Sequence, residues 1–228
     1  MVFNPTAIAS KADGIGAGYR AELLSGSSQT PDLPALLEGL RKKYSRMQGI
    51  SAEFVQTYIG NDGRVLKEAG RVLLKRPRKA RWDYTTPERK VFLADGKSIY
   101  FYVYGEREAT RASIKGSVDP QIPFLFLLSS INLNKEFSRI EIASSQTPVF
   151  KDDLMLHLVP KRAPEEFKSL YAEVNPKSME VRRLLVGERN GTTMDFLLTN
   201  VRENSVAPDS EFVFSAPPGV AVRRADSQ

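Results

Sequence analysis

The sequence contains no cysteine and only one histidine among its 228 residues. The lack of cysteine excludes thiol catalysis, disulfide bonds, cysteine-based zinc sites and a lipid anchor on cysteine, and a single histidine excludes multi-histidine metal sites. Long hydrophobic runs are missing as well, since an apolar run such as 124–128 is far shorter than the roughly 18–20 residues that span a bilayer. We therefore expect a soluble protein, or one that only visits surfaces.

Common catalytic motifs are also missing. The chain has no G-x-S-x-G, no phosphate-binding glycine loop and no H-E-x-x-H. The single histidine, His157, lies in an alternating strand pattern without a serine or metal partner, which favours a structural role. The sequence therefore predicts no catalytic residue, no metal site and no cofactor, and we do not expect an enzyme.

Positive charge is in excess, with 33 Lys and Arg against 27 Asp and Glu, for a formal net charge of +6. Ten of the basic residues fall within 64–90, where they surround Trp82 and Tyr84. Basic residues interleaved with aromatics can bind single-stranded nucleic acid by charge and stacking, so a basic nucleic-acid-binding module is one alternative function. The alternation favours a solvated basic surface with Trp82 and Tyr84 inside, and we expect no nucleic acid as partner.

Periodicity divides the chain into three parts. Residues 1–33 lack any sustained period and predict a flexible N-terminal leader without a visible signal peptide. Apolar residues at helical spacing then predict a helix over 36–47, closed by Gly49. From Ser51 the apolar period changes to two, which predicts a single β-rich domain over 34–223 and a flexible tail over 224–228.

Consecutive short strands with tight turns and no helix between them predict an antiparallel meander. The expected strands are 51–58, 65–75, 81–84, 90–94, 98–104, 138–143, 153–159, 167–174, 179–187, 192–200 and 211–214. The segment 123–130 breaks the pattern, because it is apolar on all sides and its initial proline favours a short helix. A curved sheet with both helices on its concave face is the simplest architecture that buries these residues.

Arg76 stands out within this pattern. It shares the parity of Val72 and Leu74 on the apolar side of its strand, and Pro77 ends that strand at once. A guanidinium on an apolar face needs buried acceptors, and the terminal carbonyls of the short helices lack intrahelical partners. We expect Arg76 to point into the concavity and to donate to those carbonyls rather than to a carboxylate.

Several short motifs occur in the order and spacing of one known family. They are Phe54-Val55-Gln56, Lys75-Arg76-Pro77, Arg81-Trp82-Asp83-Tyr84, Pro87, Asp95-Gly96-Lys97, Tyr100-Phe101-Tyr102, Pro123-Phe124, Leu158-Val159-Pro160-Lys161 and Phe212-Val213-Phe214-Ser215-Ala216-Pro217-Pro218-Gly219-Val220. Over about residues 33–222, the chain resembles the LolA-type periplasmic carriers of outer-membrane lipoproteins.

The resemblance implies a mainly β fold, an unclosed antiparallel β-barrel with short α-helices as a lid on its concave face. It also implies a monomeric carrier of acylated lipoproteins that works in the periplasm. Its partners would be an inner-membrane ABC exporter complex and an outer-membrane lipoprotein receptor. In that family an arginine before the proline of the first long hairpin holds the lid over the empty cavity, and Arg76 occupies that position here.

Apolar residues of the helices and of the concave sheet face are the candidates for lining an acyl-chain cavity. They are Leu36, Leu40, Phe54, Leu74, Trp82, Tyr84, Phe92, Phe101, Phe124, Leu127 and Leu128. An ordinary core would use the same residues, since a cavity wall and a core look alike in sequence. A carrier of free lipid or glycolipid in the same cavity is the alternative within the binding class.

The leader yields a first prediction. Removal of residues 1–30 should leave the thermal midpoint nearly unchanged, because this segment lacks periodicity and has few large apolar side chains. Thermal unfolding followed by circular dichroism compares the full and shortened chains. A decrease of about 4–8 °C or more would show an ordered element that the sequence does not reveal.

Overall fold

The structure is a computed structural model that describes residues 32–114, 133–161 and 167–225. The expected leader up to residue 31 and the expected helix 123–130 lie outside these residues, together with Phe124, Leu127 and Leu128. Two α-helices are described, α1 (Leu33–Arg46) and the single turn α2 (Leu133–Glu136), and neither is long and apolar enough to cross a membrane.

Strands make up most of the described chain. They are β1 (Gly49–Ile59), β2 (Val65–Lys75), β3 (Lys79–Thr86), β4 (Lys90–Asp95), β5 (Ser98–Val103), β6 (Glu108–Ser113), β7 (Phe137–Ile142), β8 (Leu154–Pro160), β9 (Phe167–Asn175), β10 (Glu180–Glu188), β11 (Thr193–Glu203) and β12 (Ala221–Arg224). A short 3₁₀ helix, Asp209–Phe212, lies between β11 and β12.

All twelve strands form one sheet in the order β12-β6-β5-β4-β3-β2-β1-β11-β10-β9-β8-β7. Neighbouring strands pair antiparallel, except that β12 runs parallel to β6. Within the described residues β12 and β7 do not pair with each other, so the sheet is not closed. The predicted fold class, mainly β with an unclosed barrel and helices on its inner face, is confirmed.

Helix α1 begins three residues earlier than its apolar spacing predicts. The Asp32 carboxylate accepts a hydrogen bond from the Ala35 backbone N–H at 3.3 Å, and Pro34 lies in the first turn. One side of the helix is buried, and this side carries Leu36, Leu40 and Tyr44. The amphipathic pattern therefore correctly identified the helix and the side that packs on the sheet.

The expected role of Gly49 as the end of this helix is wrong. The helix ends at Arg46, and Gly49 is the first residue of β1, two residues before the predicted strand start. A Cβ on Gly49 would lie 2.7 Å from the Ser205 carbonyl oxygen and 2.9 Å from that of Leu74. The glycine is needed because two other chain segments approach the backbone closely at this point.

The two faces of the sheet are covered by different parts of the chain. The inner face, defined as the face against which α1 packs, carries the main core. The outer face of β4–β6 carries a smaller cluster of Val91, Leu93, Tyr102 and Ala109, and the C-terminal segment packs on it. The rings of Phe214 and Tyr100 stack there, with centroids 5.0 Å apart. Both faces of this part of the sheet therefore carry buried apolar residues.

The predicted strand at 211–214 is wrong, since the chain forms a 3₁₀ helix there. Pro208 precedes the helix, and its carbonyl accepts the Glu211 N–H at 3.1 Å, while Val213 donates to Ser210 at 3.3 Å. Phe212 is buried, so the apolar spacing of this segment reflects packing on the outer face of the sheet and not strand pairing.

Two strands, β6 and β12, were not predicted, because β6 is mostly polar and β12 has only four residues. In β6 only Ala109 is buried, and every residue of β12 is exposed. Pairing at the edge of the sheet holds β12 in place, and Arg223 forms a salt bridge with Glu108 at 2.7 Å. The last strand extends to Arg224, the residue at which we expected the tail to begin.

A second prediction concerns Gly70 in β2. A Cβ there would lie 1.9 Å from the carbonyl oxygen of Asp83 in β3, so Gly70→Ala must push two paired strands apart. We expect a loss of about 1–3 kcal/mol in the free energy of unfolding, which is roughly 2–12 °C for a domain of this size. Thermal unfolding followed by circular dichroism measures the shift.

Gly39→Ala in α1 is the matched control. Its added methyl group would meet only the flexible end of Met179, with Cε and Sδ at 2.7 Å, and alanine favours the helix. The control should therefore change the midpoint much less than Gly70→Ala. Equal shifts in the two variants would contradict the explanation given for Gly70.

Candidate functional site: the inner sheet face and its helix

Helix α1 lies on the inner sheet face and fills the space in front of it. Leu36 and Leu40 of the helix, and Phe54, Leu74 and Trp82 of the sheet, are each at most 4% exposed and belong to one core cluster. The Phe54 and Trp82 rings meet edge to face, with centroids 4.7 Å apart. In this conformation, five of the expected cavity-lining residues form a packed core between the helix and the sheet.

The other expected lining residues that the structure describes lie nearer the solvent. Tyr84 and Phe92 are partly buried against the same core. Phe101 pairs with Phe92 across β4 and β5, on the same face of the sheet, and is 37% exposed. Ala94 and Ile99, on the same face of β4 and β5, are 0% and 4% exposed, so burial on these strands depends on the position along the strand.

A crevice of about 360 Å³ runs beside the helix, between α1 and α2. Its lining residues are Leu33, Pro34, Leu37, Glu38, Arg41, Leu133 and Asn134. The apolar walls come from three leucines, and the Glu38–Arg41 ion pair lies on the helix surface beside them. The size falls within the range of small-molecule pockets.

Arg76 links the sheet to the C-terminal end of α1. Its Nε donates to the Met47 carbonyl at 2.7 Å and its Nη2 donates to the Tyr44 carbonyl at 2.7 Å. Its backbone N–H also donates to the Gln48 carbonyl, at 3.0 Å. Among the described residues no carboxylate lies within salt-bridge distance, so the contact has the form that the strand parity led us to expect.

The electrostatics of this contact follow from its position. Carbonyl groups at a helix C-terminus lack intrahelical donors and carry partial negative charge, which favours a cation there. Burial lowers the pKa of the Arg76 guanidinium from its ordinary value. The group stays charged at any physiological pH, because an arginine pKa lies far above neutrality. The hydrogen bonds from Arg76 to the helix carbonyls therefore do not depend on pH in the physiological range.

A second set of contacts ties α1 to the other half of the sheet. The Tyr44 hydroxyl accepts the Val181 backbone N–H at 2.9 Å, and burial raises the pKa of Tyr44. Lys43 donates to the Ser178 carbonyl at 2.9 Å and forms a salt bridge with Glu203. Sequence reasoning missed these contacts, because their partners lie more than 130 residues away and carry no local signal.

Four polar side chains interrupt the apolar inner face, and we call Gln56, Glu68, Tyr84 and Lys90 the polar belt. Gln56 and Glu68 lie opposite each other on β1 and β2, and they are 7% and 6% exposed. The Tyr84 hydroxyl donates to Gln56 Oε1 at 2.7 Å, and Lys90 forms an ion pair with Glu68. Burial, together with the nearby Glu68 carboxylate, raises the pKa of Tyr84.

The expectation that the basic residues of 64–90 form a solvated surface is wrong for Lys90. The residue shares the parity of Phe92 and therefore faces inward, a signal that the alternation of β4 already contained. On the outer side, Lys75 and Lys79 pair with Asp209 at 2.6 and 3.1 Å.

Trp82 is 1% exposed, so it offers no stacking surface and the nucleic-acid alternative is not favoured.

The single histidine has structural contacts. His157 Nδ1 lies 3.0 Å from Glu141 Oε1, and its ring stacks on Tyr171 with centroids 4.8 Å apart. The contact with His157 lowers the pKa of Glu141. Within the described residues, no group of three or more potential metal-binding side chains lies together.

Comparison with known proteins agrees with this geometry. The family model described as "Outer membrane lipoprotein carrier protein LolA" matches residues 45–215. The outer-membrane lipoprotein carrier protein of Yersinia pestis is 26% identical over 200 residues, which are 87% of this chain and 93% of that protein. The protein of the same name from Aeromonas salmonicida is 25% identical over 182 residues, 79% of this chain and 85% of the relative.

The chain is also similar to solved structures at low sequence identity. An uncharacterized conserved protein from Thermus thermophilus has a TM-score of 0.50 at 11% identity, over 84% of this chain and 98% of that one. A LolA superfamily protein from Nitrosomonas europaea has a TM-score of 0.47 at 12% identity, over 79% of this chain and 97% of that one. Because the family model matches most of the sequence, this chain belongs to the LolA family of outer membrane lipoprotein carrier proteins.

Proposed function

We propose that the chain is a non-catalytic carrier that shields the acyl chains of lipoproteins on its inner sheet face and moves them from the inner to the outer membrane. The observation that carries the proposal is the contact of Arg76 with the Met47 and Tyr44 carbonyls, which holds a helical cover over an apolar wall. The names of the relatives that match most of the chain support lipoproteins as the cargo.

The proposed binding surface is the wall that α1 now covers. An acyl chain can take the place of Leu36 and Leu40 against Phe54, Leu74 and Trp82 when the helix moves away. Burial of one CH₂ group contributes about 0.8 kcal/mol, so a long chain contributes roughly 10 kcal/mol. The helix and the acyl chain thus compete for the same apolar surface.

Release of the cargo depends on what the empty protein regains. When α1 closes, its apolar stripe is buried again and Arg76 recovers two charge-assisted hydrogen bonds, each of about 1.5–3 kcal/mol. These contacts stabilise only the empty form and so reduce the net affinity for the acyl chain. Arg76 acts as the latch that keeps binding reversible.

The cellular setting completes the proposal. The carrier works as a monomer in the periplasm, receives its cargo from an inner-membrane ABC exporter complex and gives it to an outer-membrane lipoprotein receptor. Family membership supports this route. A carrier of free lipid or glycolipid would use the same wall, and native mass spectrometry of the protein loaded in cells distinguishes an acylated protein from a lipid by mass.

The latch leads to a third prediction, for Arg76→Leu. The variant should fold, since leucine suits an apolar wall, but its closed form loses two hydrogen bonds. The Met47 carbonyl loses the donor that Arg76 supplies, while the Tyr44 carbonyl keeps the Met47 backbone N–H at 3.3 Å. We expect acyl-chain affinity to rise by about tenfold or more, because more of the protein is open before binding. Titration with a fluorescent acyl probe measures the affinity, and transfer to acceptor vesicles measures release, which should slow.

Arg81→Leu is the matched control. Arg81 follows in the next strand but faces outward, where it binds Asp83 at 2.7 Å and the Glu211 carbonyl at 3.0 Å. The control removes the same charge without touching α1 and should leave probe affinity and release unchanged. A similar affinity for Arg76→Leu and the wild type would reject the latch.

A further inference from the structure

The polar belt lies between two apolar regions of the inner face. On one side Phe54 and Trp82 belong to the core under α1. On the other side Tyr58 pairs with Leu66 near the end of the β1–β2 hairpin, and these side chains are 37% and 44% exposed. The polar belt therefore marks the boundary between the buried wall and its solvent-facing rim.

Stability alone does not explain a buried ion pair at this place. Removing Glu68 and Lys90 from water carries a large desolvation cost, and apolar residues of similar size often stabilise a protein as well or better. Apolar residues would fit at the positions of Glu68 and Lys90, because these positions lie between the core and an apolar rim. A role in binding accounts for the polar belt where stability does not.

Lys90 is the charged donor of the polar belt, and its side chain is 16% exposed. The Lys90 ammonium lies 4.6 Å from the centre of the Tyr84 ring and 6.0 Å from that of Phe101, which is partly exposed. An ammonium group carries three N–H donors, and Glu68 accepts one of them. Lys90 therefore has donor capacity beyond its ion pair.

The charge of the polar belt selects the kind of acceptor. Glu68 compensates the charge of Lys90, and Gln56 and Tyr84 are uncharged, so the four groups together carry no net charge. A neutral acceptor suits this environment better than an anion, whose burial would leave an uncompensated negative charge. Ester and amide carbonyl oxygens are neutral acceptors, and they occur where an acyl chain joins the rest of its molecule.

We infer that the polar belt binds the ester or amide carbonyl groups that link acyl chains to their cargo. The inference rests on the proposed function, since the chains themselves occupy the wall under α1. With a chain against Phe54 and Trp82, its carbonyl end lies at the boundary and accepts an N–H from Lys90. The polar belt then sets how deep the chain enters and favours acylated molecules over plain hydrocarbons.

The test compares ester-linked ligands with ether analogues that have the same alkyl chains but no carbonyl groups. One pair is a diacylglyceryl-cysteine peptide and its dialkyl analogue, and the other is a diacyl and a dialkyl glycerophosphocholine. Affinities are measured by displacement of an apolar fluorescent probe. The wild type should bind the ester form about tenfold more tightly, because hydrogen bonds to a charged donor are lost in the ether form.

The variant Glu68→Gln with Lys90→Met removes the ion pair as a unit and should bind ester and ether forms equally, with ether affinity as in the wild type. Glu108→Gln with Arg223→Met, an exposed pair between β12 and β6, is the control and should keep the ester preference. If the first double variant does not fold, Gln56→Leu with Tyr84→Phe weakens the polar belt and should reduce the same preference.

Each outcome decides between the two proposals. Equal binding of ester and ether forms by the wild type overturns the polar belt but leaves the carrier intact, as does an ester preference that survives removal of the ion pair. Failure of all four ligands to bind overturns the carrier proposal and the polar belt with it. An ester preference in either pair supports the polar belt, and the pair that shows it identifies an acylated peptide or a glycerolipid as the carbonyl source.

Discussion

An apolar sheet face must be covered, and the structure depends on how α1 meets this constraint. The helix packs Leu36 and Leu40 on the inner face as an ordinary core does, so water is excluded. Its polar attachments, through Arg76, Tyr44 and Lys43, all lie in or just beyond its last turn. Dispersion therefore holds this helix along its length, and hydrogen bonds hold it at one end.

The wall behind the cover is held from its other side. The C-terminal segment buries Phe212 and stacks Phe214 on Tyr100 across the outer face. Lys75 and Lys79 both pair with Asp209 of the 3₁₀ helix, close to the strand end that carries Arg76. The strand end next to Arg76 is thus held from the outer face, by contacts that do not involve α1.

Local patterns in the sequence predicted the features that depend on parity and spacing. The period of two placed Arg76 with Val72 and Leu74, and this parity, together with the unpaired carbonyls at helix ends, predicted its contact with helix carbonyls. The same rule applied to β4 would have placed Lys90 inside with Phe92, but the density of basic residues around it pointed to a surface. In a strand with one buried and one exposed face, the alternation of apolar residues predicts burial better than local composition does.

Other features could not be predicted from the sequence, because they depend on tertiary contacts. The bond from Val181 to Tyr44 joins residues 137 positions apart, and nothing near either of them indicates the partner. The strands β6 and β12 are held by edge pairing and not by an apolar pattern. The packed state of the inner face was equally hidden, since side-chain identity does not distinguish a filled core from a wall that can open.

The order of the sheet, with β12 at one end and β7 at the other, has a geometric consequence. In a closed barrel, strand number and shear fix the radius, so the interior volume cannot change without breaking strand pairs. A sheet with two separate ends is free of that condition, and small changes of twist between neighbouring strands alter its curvature while every ladder stays intact. Strand pairing alone therefore does not fix the width of the interior.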